Sequence, residues 1–211
     1  LLDEINKNFK KDKLNKNIKL HFIDHHKSHI ASAFYPSKFK KAIGLSIDGF
    51  GDFCSLAIAK CENNNIEIVD RIYFPHSLGV FYEAFTQLLG FKNYGDEYKM
   101  MGLASYGSPK FYDQILSEFF LDDQSINLNL EYFNHTGKNF SYKFKGSPKQ
   151  SKLLNSKVLK KFSIIQNSNI TQKHMNIASS TQKVFEYKVL KIINKIKKLN
   201  FSKNLVYAGG C

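Results

Sequence analysis

The clearest alternation of apolar and polar positions lies between residues 42 and 74. "AIGLSID" (42–48), "FCSLAIAK" (53–60) and "IEIVDRIYF" (66–74) read as three strands, separated by the turn-forming stretches "GFGD" and "CENNN". Loops this short join neighbouring strands antiparallel, so the pattern predicts a three-stranded meander. Upstream, "IKLHFID" (18–24) alternates as a further strand. "HHKSHIASAFYPS" then reads as a short helix, with Asp24 placed to cap it and Pro36 just past its end. Residues 1–18 read as a polar helix or a linker.

Downstream the period changes to that of helices. "SLGVFYEAFTQLLGF" (77–91) carries an apolar face through Val80, Phe81, Phe85, Leu88 and Leu89, with Gly90 as its stop. "KNYGDEYKMMGLASYGSPK" (92–110) predicts loop with a short helix, and "FYDQILSEFF" (111–120) another helix. Residues 121–170 are weakly patterned, with "INLNLEYF" a candidate strand. A long helix is expected from Thr171 to about Leu199, with Val189, Ile192, Ile193 and Ile196 inward and Lys188, Lys191, Lys195 and Lys198 on a solvated face. "NLVYAGGC" (204–211) reads as a strand ending in a Gly-Gly turn. The expected class is α/β with a mixed sheet. The β-β-β-α order followed by a strand and a glycine turn predicts one lobe of the two-lobed actin/sugar-kinase/Hsp70-like (ASKHA) architecture, present incompletely. Residues 1–40 would end a first lobe and 41–211 would form the second. The ends, without an initiator Met and just past a strand, read as those of an internal piece.

Composition narrows the function classes. No run of about 18 apolar residues is present, so no membrane span is expected. The net charge of +13 comes almost wholly from Lys, since Arg71 is the only arginine. Arg is the side chain that reads base edges and clamps phosphate bidentately, so this charge does not predict specific nucleic-acid binding. Cys54, Cys61 and Cys211 form no CxxC pair, which fits a reduced, cytoplasmic setting.

Three stretches carry candidate chemistry. His25 and His29 of "DHHKSH" stand four apart and project from one helix face, which suits two imidazoles on one metal or merely a polar helix start. His26 points about a quarter-turn away. "DGFGD" (48–52) and "YAGG" (207–210) can bring backbone close to phosphate or nucleotide, or can simply turn the chain. In "GDEYKMMGL" (95–103), Glu97 and Lys99 can meet an anionic ligand or form a surface ion pair. His76 reads as help in capping the helix at Ser77.

"DHHKSHIASAFYPSKF", "LSIDGFGD", "FPHSLGVFYEAFTQLLGF", "GDEYKMMGLASYG", "QKHMNIASSTQ" and "LVYAGG" occur in the order seen in the nodulation and antibiotic-biosynthesis O-carbamoyltransferases, which the chain resembles from about residue 20 onward. The resemblance implies an N-terminal domain like the tRNA threonylcarbamoyltransferase catalytic subunit. In such proteins a C-terminal adenylate-forming domain makes carbamoyl adenylate from carbamoyl phosphate and ATP. The N-terminal domain then passes the carbamoyl group to a hydroxyl of a small-molecule acceptor. The resemblance further implies a divalent metal, iron or alternatively zinc, on His25 and His29, with a third ligand, an Asp, beyond the Gly-Gly turn. It places Asp48, Gly49 and Gly51, with Gly209 and Gly210, on the nucleotide side. It names no general base. The first lobe's phosphate loop and the adenylate-forming domain lie outside the chain, so this piece alone is expected to be inactive. Two other functions compete: a tRNA-modifying threonylcarbamoyltransferase, and a non-catalytic basic module that binds nucleic acid.

Overall fold

The computed structural model describes residues 21–138, 140–143, 149–164 and 169–211. The meander forms as predicted. Strands β1 (Lys41–Gly51), β2 (Cys54–Glu62) and β3 (Asn65–Tyr73) pair antiparallel in sequence. The strand β6 (Leu205–Ala208) lies parallel to β1, which gives a mixed sheet of order β3-β2-β1-β6. A two-stranded ribbon, β4 (Tyr142–Lys143) with β5 (Lys149–Gln150), stands apart. The first hairpin turn sits later than expected. β1 continues through "GFG", and the turn falls on Asp52 and Phe53, both with positive φ as a tight two-residue hairpin requires.

Helices cover both faces of the sheet. On one lies α1 (His25–Phe34), whose buried residues His26, Ile30 and Phe34 recur every four positions. Ile30 and Phe34 pack with Ala42, Ala57, Ala59 and Cys61. On the other lie α2 (Leu78–Leu88) and α6 (Gln172–Lys198), with Ile43, Leu45, Ile47, Leu56, Ile58, Phe81 and Phe85 in the main core. Three short helices, α3 (Glu97–Ala104), α4 (Tyr112–Phe119) and α5 (Ser156–Phe162), complete that side. Because both faces are covered, residues 42–47 of β1 are buried without a break.

Helix ends follow the sequence signals. The Asp24 carboxylate accepts from the Lys27 backbone N–H at 2.7 Å, and the Ser77 hydroxyl from that of Val80 at 3.1 Å. Gly90, at φ +96°, ends α2 in the left-handed region.

Four expectations are corrected. Residues 21–24 of "IKLHFID" form no strand: Phe22 and Ile23 are both exposed, no described strand flanks them, and Asp24 is used as a cap. Residues 18–20, like the helix or linker expected over 1–18, fall outside the described residues. "INLNLEYF" is not a strand. Leu128 and Phe133 make isolated bridges to Phe120 and Leu154, and the Asn129 side chain accepts from Glu131 N–H and turns Leu130–Tyr132 into a 3₁₀ helix. Lys188 is not solvated. It is 1 % exposed, and its ammonium donates to the backbone carbonyls of Asp122, Asp123 and Ser125 at 2.7, 3.3 and 3.0 Å. His76 does not cap α2; its Nδ1 accepts from Leu128 N–H at 3.1 Å. Among the described residues, no helix is long and apolar enough to cross a membrane.

Candidate metal centre

β1 sends alternate side chains to the α1 face, and their sequence there is Ala42, Gly44, Ser46, Asp48. A side chain at Gly44 would begin 2.4 Å from Ile30 Cγ2, so the glycine lets α1 close on the strand. Two residues on, the Ser46 hydroxyl meets His26. Two further on, Asp48 Oδ2 lies 2.9 Å from His25 Nε2 and 3.0 Å from His29 Nε2, and the two Nε2 atoms are 3.0 Å apart. Among the described residues, this trio is the one group of three or more His, Cys, Asp or Glu side chains drawn together as metal donors. The side chains of His25, His29 and Asp48 keep 38, 32 and 21 % exposure, so the corner is open to a ligand from solvent.

The spacing can be tested against an ion. With bonds of about 2.1 Å, donors at right angles would lie about 3.0 Å apart and tetrahedral donors about 3.4 Å apart. The observed near-equilateral triangle fits one face of an octahedron, the two-histidine, one-carboxylate set that leaves positions open. Burial opposes ionisation of Asp48. The His25 hydrogen bond, the Gly49 N–H donating to Oδ1 at 2.7 Å and the neighbouring imidazoles outweigh it and hold the carboxyl below its usual range. Asp48 is therefore a carboxylate at neutral pH.

The surrounding chain fixes these atoms. A side chain at Gly51 would start 2.0 Å from the His25 ring, so the ring rests directly on β1 backbone. The Asp52 carboxylate accepts from His25 N–H at 2.8 Å, and Asp24 pairs with Arg71 at 3.0 Å. At the start of α2, the Ser77 hydroxyl donates to Gly49 O at 2.7 Å, and Gly79 packs flat on Asp48–Gly49. Gly209, at φ +121°, lies against Ile47 O, and Gly210 approaches Asp48 Oδ1. Of the five residues assigned to the nucleotide side, Asp48 is thus drawn to the histidines. Gly51, Gly209 and Gly210 are filled against by the protein itself, while Gly49 has open space before its Cα.

Sequence reasoning missed two groups here. His26, 0 % exposed, bridges Ser46 and the Cys54 carbonyl. Glu83 on α2 has its carboxyl pushed up to about 8 by burial and by Glu97. Burial also raises Glu97, and burial followed by Glu83, Asp48 and Glu97 raises the Tyr94 phenol. A glutamate inside the apolar run "VFYEAF" was the available signal. Lys99 lies 2.7 Å from Asp96. "QKHMNIASSTQ" works as a clasp: Asn176 accepts from Ser108 N–H and Ser180 from Phe111 N–H, both at 2.9 Å, which holds the loop after α3 onto α6.

The sequence matches the family described as carbamoyltransferase N-terminus over residues 3–211. It is 40 % identical over 198 residues to the uncharacterized protein sll1178 of Synechocystis, covering 90 % of this chain and 30 % of that protein. It is 30 % identical over 193 residues to the nodulation protein NolO of Bradyrhizobium diazoefficiens (89 % and 31 %), and 29 % over 195 residues to the nodulation protein NolNO of Sinorhizobium fredii (91 % and 25 %). The chain thus spans between a quarter and a third of the length of these relatives. The chain therefore belongs to the carbamoyltransferase N-terminal family.

Proposed function

We propose that this chain is part of an enzyme that transfers a carbamoyl group from carbamoyl adenylate to a hydroxyl of a small-molecule acceptor. The adenylate would be made from carbamoyl phosphate and ATP by a domain outside these residues. The observation that carries the reading is the triangle of His25, His29 and Asp48 in a chain of this family. The order β1-β2-β3-α2 and the parallel β6 beside β1 support an ASKHA-like second lobe over 41–211, and α1 packs on the sheet of that same lobe.

In this reading His25, His29 and Asp48 hold a divalent ion. Two imidazoles and a carboxylate suit iron, with zinc as the alternative. The bound ion supplies Lewis acidity toward carbamoyl or phosphate oxygens. The chain's own residues orient the rest. Ser77 and Gly79 hold the Asp48–Gly49 backbone still, Gly51 seats the His25 ring, and Gly49 leaves room for a ligand beside the triad.

The test uses the complete polypeptide, purified without a histidine tag. Wild type should contain about one metal per chain and release AMP from ATP and carbamoyl phosphate. The His25→Ala/His29→Ala variant should lose the metal and the transfer step while still forming carbamoyl adenylate. Transfer at the wild-type rate by the double variant, or no carbamoyl-phosphate-dependent AMP release by wild type, would reject the reading.

A further inference from the structure

We infer that His26 is a positioning residue that sets the spacing of the metal donors by clamping α1 to two strands at once. This rests on the reading of His25, His29 and Asp48 as a metal site.

A carbonyl oxygen only accepts, so His26 Nε2, 2.8 Å from Cys54 O, carries a hydrogen. Nδ1 shares a hydrogen bond with the Ser46 hydroxyl at 2.8 Å. Both nitrogens are used, one on β1 and one on β2. The residue is 0 % exposed. A phenylalanine would fill a similar volume without desolvating polar atoms, so what the imidazole adds is direction rather than burial.

Direction is what the triad needs. His26 adjoins His25 in sequence and stands three positions before His29, on the next turn of the same surface. Its ring centroid lies 5.3 Å from that of His25 and 6.3 Å from that of His29. Its partner Ser46 precedes Asp48 by two residues on the same face of β1, one pleat of roughly 7 Å away. The clamp and the triad are therefore parallel links between the same helix and the same strand. Below the clamp, Ile30 against Gly44 sets the separation of α1 from the sheet but, being apolar, leaves the helix free to roll. Together with the Asp52 bond to His25 N–H and the Asp24–Arg71 pair at the helix start, the His26 hydrogen bonds remove that freedom. A roll that moved the imidazoles by about 1 Å would open the donor triangle beyond the reach of one ion.

The test is Co(II) binding to the complete polypeptide, read as affinity and as the visible absorption of the bound ion, for wild type, His25→Ala, His26→Phe and Ser46→Ala. Ser46→Ala removes one hydroxyl and guards against a His26→Phe chain that fails to fold. We expect His25→Ala to lose the site. The other two variants should keep one ion per chain but bind it about 10- to 100-fold more weakly, with a shifted spectrum. Wild-type affinity and spectrum in folded His26→Phe or Ser46→Ala would overturn the clamp while leaving the metal reading intact. Wild-type binding by His25→Ala would overturn the metal reading, and the clamp with it.

Discussion

The two faces of β1 answer different demands. Toward α2 and α6 it presents Ile43, Leu45 and Ile47, all 2 % exposed or less, to a core that also holds Phe81, Phe85 and Phe119. Toward α1 it presents Ala42, Gly44, Ser46 and Asp48, which grow more polar as the strand advances. The large side is about filling volume, and its residues are interchangeable as long as the volume is kept. The small side is about distance. It brings a helix backbone close enough for short side chains to meet, and each contact there has a direction.

That contrast can be broken from either side. The largest effect is expected from Phe85→Ala. The side chain is 0 % exposed, and its removal should cost about 3–5 kcal/mol. At roughly 2–4 °C per kcal/mol for a chain of this size, thermal unfolding should fall by about 6–20 °C, with metal affinity of the folded protein unchanged. Gly51→Ala should do the reverse. The new methyl would meet the His25 ring, Cγ included, so the ring must tilt off the strand, and that ring is a candidate metal donor outside the main core. Melting should move by only a few degrees while metal affinity falls about 10-fold or more. If Gly51→Ala unfolds the protein and leaves affinity intact, the division between the faces is wrong.

The smallest effect sharpens the comparison, because Glu83 is an ionisable group on the core-side helix α2. Its carboxyl holds its proton up to about 8 in the folded chain, through burial and the neighbouring Glu97. The unfolded chain gives up that proton nearer 4.5. Between the two values the folded state binds more protons, so this group's contribution is present below about 4.5 and is lost as pH rises toward 8. Glu83→Gln should flatten that part of the melting-temperature profile and raise the melting temperature at pH 8 relative to wild type. An unchanged slope would mean that Glu83 is ionised in the folded chain.

Much of this was legible in the sequence. The three meander strands and α1, α2 and α6 fall within a few residues of their predicted bounds, because alternation, caps and turn residues all act locally. The His25–His29 pair was legible for the same reason, since a spacing of four fixes a shared helix face. Its carboxylate partner was not. "DGFGD" carries a strong turn signal, and it hid that β1 runs on to Gly51 and delivers Asp48 to the α1 face. His26 was passed over because helical spacing tells which residues share a face, not which face meets the sheet. Lys188 had a usable sign: it sits four positions from both Val184 and Ile192, in step with the buried stripe of α6. Its charge argued for solvent, and three carbonyls from a weakly patterned stretch, invisible to periodicity, supplied its partners.

The parallel pairing of β6 with β1 has a consequence for how the chain reaches this structure. His25 and Asp48 are 23 positions apart, whereas the Ser202 hydroxyl that docks on Lys41 O ahead of β6 is 161 positions from it. Closing the longer loop costs about 2 kcal/mol more in chain entropy, and the pairing waits on the helices in between. The donor triangle can therefore assemble while the glycine turn after β6 is still undocked. The turn at Gly209–Gly210 would then be the last piece to reach Asp48.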